Sequence, residues 1–214
     1  MVKVEEVFSS SNNFLEYSKN YCDYVTGLIS GLDHDAIKNV VEVLLEAERN
    51  NKHIFFIGNG GSAAISTHFA CDLGKGTKNH TNRFRTSALA DNLSTFTAYA
   101  NDDGYDQVFS KQLENVLNKG DVVISISSSG NSANLLNAVA YAKSVGAKTV
   151  SILGFDGGKL KEMSDVSLVV KTEKGEYGPV ESIHSLLNHL ITSYIYMHFQ
   201  KIGNGNNYSQ VNTK

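Results

Sequence analysis

The stretch ISISSSGNSANLL, Ile124 to Leu136, passes from alternating apolar residues into a run of serines around one glycine, and then into helical spacing. A strand that enters a helix this abruptly sets Ser127, Ser128, Ser129 and Ser132 where its carboxyl end meets the helix N-terminus. First-turn N–H groups there have no intrahelical acceptor, and the helix dipole favours negative charge. Small hydroxyls add donors without blocking approach, and Gly130 permits the tight turn. A helix cap uses one hydroxyl. Three in a row with a fourth close by exceed that demand, and the loop is read as a phosphate cradle.

Outward from this stretch the chain alternates short apolar runs with helical segments. HIFFIG precedes NGGSAAISTHFACDL, and RTSALA precedes NLSTFTAYAND and YDQVFSKQLENVL. DVVISIS leads into the serine turn and its helix, KTVSILG into GKLKEMS, and VSLVV into the long PVESIHSLLNHLITSYIYMHFQ. Five strands alternating with helices predict an α/β fold with a mainly parallel sheet covered on both faces. Pro179 suits the first turn of the last helix, where its missing N–H costs nothing. Upstream, Asn13–Ser30 and Asp35–Asn50 carry apolar residues at helical spacing, Ile37, Val40, Val41, Leu44 and Leu45 making the second stripe. Residues 1–50 are therefore expected as a helical segment packed on a core formed by 51–200. Residues 201–214 hold few apolar anchors and are expected to be disordered.

The 214 residues, 41% hydrophobic and 19% charged, suit one soluble domain. A formal charge of -3 offers no footprint for nucleic acid or anionic lipid. Cys22 and Cys71 suggest neither a disulfide framework nor a thiolate zinc motif. The N-terminus lacks the apolar core of a signal peptide, and no apolar run approaches the roughly 20 residues of a spanning helix. A cytoplasmic protein without membrane contact is expected.

IGNGGSAA, Ile57 to Ala64, is a second glycine-rich strand-to-helix turn. Gly58, Gly60 and Ala63 fit a loose dinucleotide fingerprint, but the acidic residue that should follow about 20 positions later is not found; Asp91 lies further on. No nucleotide cofactor is expected. Two such turns on one sheet can instead converge at a topological switch point and hold one phosphorylated ligand from two sides.

GNGGSAAISTHFACDL, AYANDDGY, ISISSSGNSANLLNAVAYAKSVGAKTVSILG and ESIHSLLNHLI resemble the SIS-domain sedoheptulose 7-phosphate isomerases, or phosphoheptose isomerases, in order and spacing from about Phe14 to Gln200. The resemblance implies a three-layer α/β/α sandwich with a five-stranded parallel sheet, the SIS fold, preceded by N-terminal helices. It also implies a homotetramer that converts sedoheptulose 7-phosphate to D-glycero-D-manno-heptose 7-phosphate for surface polysaccharide precursors. Carried onto this chain, it assigns phosphate binding to Ser127, Ser129 and Ser132, and substrate binding to Asn59 and Ser62, with Asp91 and Asn92 added. Catalysis falls on Asp72, His189 and Glu181, and zinc ligation on His68, Asp72, Glu181 and His189. Two positions depart from the family pattern: Asp72 stands for a Glu, and Glu181 for a Gln.

Spacing alone favours an ordinary helix pair over those roles, and it is the resemblance that reverses the preference for His68 and His189. His68 and Asp72 share a helix face, as do Glu181 and His189 with His184 between them. Two nitrogens and two carboxylates make a set suited to zinc, but an ordinary i,i+4 pair reads the same way. His184 is read first as a packing residue. The last helix is apolar on more than one face, which favours burial between subunits. Rival readings are isomerisation of another sugar phosphate, a non-catalytic SIS protein that binds a protein partner, and a dinucleotide-dependent oxidoreductase.

Overall fold

The computed structural model describes residues 3–78 and 82–211, the side chains of 203–211 excepted. His80 lies outside the described residues. Three helices come first, α1 (Lys3–Ser9), α2 (Phe14–Ser30) and α3 (His34–Arg49). Asn13 and Asp33 cap α2 and α3, accepting from the backbone N–H of Glu16 and Ala36, which satisfies donors that a helix start leaves open. The strands then alternate with helices: β1 (His53–Gly58), α4 (Gly61–Cys71), β2 (Arg85–Ala88), α5 (Leu93–Asp102), α6 (Val108–Val116), β3 (Val122–Ser127), α7 (Ala133–Val145), β4 (Lys148–Gly154), α8 (Gly158–Met163), β5 (Val166–Val170) and α9 (Tyr177–Val211). A π-helical turn, Asp72–Gly76, continues α4. The last helix runs past Gln200, where the sequence reading placed the start of a disordered tail; residues 212–214 lie outside the described residues.

All five strands are parallel in the order β2-β1-β3-β4-β5. The chain moves one way from β1 to β2 and the other way from β3 onward, so the sheet's direction of growth reverses between β1 and β3. Their carboxyl ends lie level, with Gly58 paired to Ile126. The expected α/β sandwich is the observed one. One apolar layer joins Ile54, Phe56, Ile124 and Ile126 to α3, α4 and α9 through Leu44, Phe69 and Leu187. The opposite layer joins Phe55, Ile57 and Val123 to α6 and α7 through Phe109, Leu135 and Val139.

The serines inside β3 need a separate account, because both faces of that strand are buried. Ser125 meets Ser151 of β4 at 2.5 Å, and Ser151 meets Ser164 at 2.6 Å, so a short hydroxyl chain satisfies groups that apolar surroundings would otherwise penalise. The N-terminal helices are tied down by another polar group. Buried Glu176, just before α9, accepts from the Val4 N–H at 3.0 Å, the Tyr24 hydroxyl at 2.5 Å and the Glu173 N–H at 3.1 Å. Burial, and then the bond to Glu176, hold the Tyr24 phenol well above its usual range. No helix among the described residues is long and apolar enough to cross a membrane.

Ile124 is fully buried between the two strands flanking β3. Ile124→Ala is expected to lower the unfolding free energy by about 2–5 kcal/mol, measured by urea denaturation followed by circular dichroism.

Candidate active site

The reversal between β1 and β3 leaves a crevice at the carboxyl ends of the strands, the usual ligand position in an open parallel sheet. Three helices begin at this crevice. α4 follows the turn Asn59–Gly60, α7 follows the serine turn, and α9 starts at Tyr177. They bound a cavity of about 100 Å³ lined by Asn59 and Ser62 from the first turn, Ser127, Ser128, Ser129 and Ser132 from the second, and Tyr177 and Glu181 from α9. Three positive helix ends aimed at one small cavity favour an anion there.

The serines do not spend themselves on capping. Ser132 occupies the N-cap position of α7, yet its side chain makes no capping bond. Ser127 Oγ accepts from the Gly130 N–H at 3.0 Å and so shapes the turn. Ser128 Oγ is buried with no partner among the described residues although Ser128 lines the cavity. Gly130 has φ of +62°, and a Cβ there would collide with the Gly157 carbonyl, so only glycine fits. Asn59 is held from two sides. It exchanges amide bonds with buried Asn134 at 2.9 Å each way, and it accepts from the Tyr105 hydroxyl at 2.8 Å.

Helices α4 and α9 lie side by side and run in the same direction. Near their starts the Glu181 carboxylate covers Gly61 so closely that a Cβ there would strike it. Further along, His189 meets His68 edge to face, their ring centroids 5.0 Å apart. The Asn188 amide donates to Asp72 Oδ2 at 2.9 Å. The same oxygen lies 3.1 Å from His68 Nε2 and 3.7 Å from His189 Nε2. An open hollow of about 280 Å³ exposes Asp72 and His189 beside Thr192 and Tyr196. Larger hollows, of about 370 and 670 Å³, lie at the amino end of the sheet near Val122 and beside edge strand β2. Neither gathers converging helix starts.

The sequence candidates thus separate into two groups along one helix pair. Asn59, Ser62, Ser127, Ser129, Ser132 and Glu181 share the small cavity. His68, Asp72 and His189 place one donor atom each within 4.8 Å of one another, and Glu181 is not in that group. Asp91 instead accepts from the Thr67 hydroxyl at 2.6 Å, and Asn92 caps α5 by accepting from the Thr95 N–H at 3.1 Å. Tyr105, Asn134, Tyr177 and Asn188 were not foreseen, because each reaches its place through contacts between distant elements. His184 proves to be a core residue of α9. Burial drives its pKa down to about 4, so the ring is neutral near pH 7. The Leu153 backbone faces it, but neither ring nitrogen meets full hydrogen-bond geometry with any partner among the described residues.

The profile of the SIS domain matches residues 20–154, and the chain belongs to that family. Among curated proteins, the phosphoheptose isomerase of Helicobacter pylori strain P12 is 40% identical over 165 residues, spanning 77% of this chain and 85% of that one. The phosphoheptose isomerase of Aliarcobacter butzleri is 38% identical over 168 residues, spanning 75% and 84%. Among solved structures, the phosphoheptose isomerase of Neisseria gonorrhoeae superposes with a TM-score of 0.77 at 29% identity, covering 86% of this chain and 98% of that one. Within the SIS proteins, then, the company this chain keeps is that of the phosphoheptose isomerases.

The folded-state pKa of His184 lies below the unfolded value near 6.5. Its contribution to stability is therefore complete above about pH 6.5 and is lost as pH falls toward 4, by on the order of 3 kcal/mol. Urea titrations between pH 4.5 and 7 should show a shallower fall of stability for His184→Leu than for the unaltered protein.

Proposed function

We propose that the protein is an aldose–ketose isomerase that converts sedoheptulose 7-phosphate to D-glycero-D-manno-heptose 7-phosphate, feeding heptose precursors of surface polysaccharide in the cytoplasm. The observation that carries this reading is the parallel pairing of α4 and α9. It sets the serine-lined cavity at one end and an imidazole–carboxylate cluster further along, with Glu181 and His189 about 12 Å apart along α9. A sugar phosphate anchored by its phosphate in the serine turn extends its far end toward the cluster.

Isomerisation moves a proton from C1 of the open-chain ketose to C2. A base removes the C1 proton, the electron pair forms the C1=C2 bond, and an acid protonates the C2 oxygen, giving an enediol. Return of the proton to C2 and loss of the O1 proton yield the aldose. Asp72, between both imidazoles, suits the base, and half-exposed His189 suits the acid and ring-opener. Glu181 is left to orient the sugar beside the cavity or to serve as a second base.

The cluster fits a divalent cation of the zinc type. Donors about 2.1 Å from a tetrahedral ion lie roughly 3.4 Å apart, and the separations of 3.1 and 3.7 Å bracket that value. His68 Nε2, Asp72 Oδ2 and His189 Nε2 would hold the ion and leave a fourth position open, with the second Asp72 oxygen and His189 Nδ1 remaining for the proton transfers. A bound zinc ion would polarise the sugar carbonyl as a Lewis acid. Glu181 is omitted from this set because its carboxylate rests over Gly61.

The face of α9 turned away from the core exposes Leu190, Tyr194 and Met197, and α2 exposes Phe14 and Leu15. Such apolar surface fits burial between copies of the chain, in a homotetramer.

Purified protein is expected to turn over sedoheptulose 7-phosphate in preference to a panel of other sugar phosphates. Asp72→Asn and His189→Ala should each lower kcat at least about 100-fold with unchanged circular dichroism; near-normal turnover in both would overturn the assigned roles. Light scattering should give four chain masses, and Met197→Glu should shift the protein to smaller species.

A further inference from the structure

Asp72 is one methylene shorter than the glutamate that the family resemblance calls for, and it sits at the first position of the π-helical turn after α4. A shorter carboxylate must be held differently to meet the same two imidazoles. The group that meets it is Asn188, which is fully buried and donates through Nδ2 to Asp72 Oδ2 at 2.9 Å. The other end of this amide, Oδ1, has no partner among the described residues. An unpaired buried carbonyl costs about 1–3 kcal/mol, so an apolar side chain of similar size would serve packing better. Among the described residues, the bond to Asp72 is the interaction that accounts for an amide at this position.

We propose that Asn188 is a positioning residue for Asp72: its amide, rigidly held in the packed face of α9, fixes the carboxylate oxygen shared with His68 and His189. Successive helix residues point about 100° apart. Asn188 therefore reaches inward to the carboxylate while its neighbour His189 faces the open hollow. One turn of one helix thus supplies both the imidazole and the support for its partner. The amide carries no charge and does not itself act as acid or base.

This inference rests on the isomerase reading for its kinetic arm only. In Asn188→Leu, kcat for sedoheptulose 7-phosphate at saturating zinc is expected to fall about 10- to 100-fold, with KM changed less than twofold. Affinity for Co²⁺, titrated through its visible absorption, should fall about 10- to 100-fold. The double variant Asp72→Glu/Asn188→Leu should recover most of both, because the longer side chain reaches without the amide. Asn188→Ser serves the same comparison if the leucine variant does not fold. If the unaltered protein fails to turn over sedoheptulose 7-phosphate, the isomerase reading falls and the Co²⁺ titration alone decides the role of Asn188. Folded variants with unchanged Co²⁺ affinity, and unchanged kcat where there is turnover, overturn it.

Discussion

Two helices that start at the same edge of the sheet and run the same way are the constraint on which the site depends. α4 is obliged to begin there by β1, and α9 returns to that edge after β5, so both present their positive ends to the crevice at the reversal of the sheet. An antiparallel partner would have set a negative helix end against the serine turn and opposed an anion. The apolar layer of Phe69, Leu73, Ile183 and Leu187 keeps the pair in register, and that register brings Asn188 to Asp72 and His189 to His68.

Much of this was open to reading in the residues. The five strands follow the short apolar runs, because a parallel sheet buried on both faces demands continuous hydrophobic segments bounded by glycine and polar turns. The serine turn stood out because four hydroxyls exceed what one helix start can use, and in the structure Ser132 makes no capping bond. What escaped were contacts between elements far apart in sequence. Asn134 and Tyr105 reach Asn59 only once α7 and the segment after α5 have packed. Helix α1 carries too few apolar residues to signal itself, since its place depends on Glu176. The separation of Glu181 from the histidines was equally hidden: eight residues on a helix share a face, but they lie more than two turns apart.

The departures at Asp72 and Glu181 have different structural settings. Asp72 keeps its company of imidazoles and gains a neutral amide donor. Glu181 brings a formal negative charge to a cavity bounded by three positive helix ends, where it competes with whatever anion enters. The small volume of that cavity makes its charge balance sensitive to a single carboxylate, because attraction and repulsion over such distances are weakly screened once water is displaced.

Glu176 gives the first thirty residues an unexpected standing. Its carboxylate is sealed beneath the start of α9 and depends on α1 and α2 for two of its three donors. A shortened chain lacking those helices would keep every strand and every site residue, yet it would take from the buried Glu176 carboxylate, just before Tyr177, two of the donors that satisfy it. The leading helices therefore belong to the foundation of the ligand crevice, and a boundary drawn at the first strand would cut through that foundation.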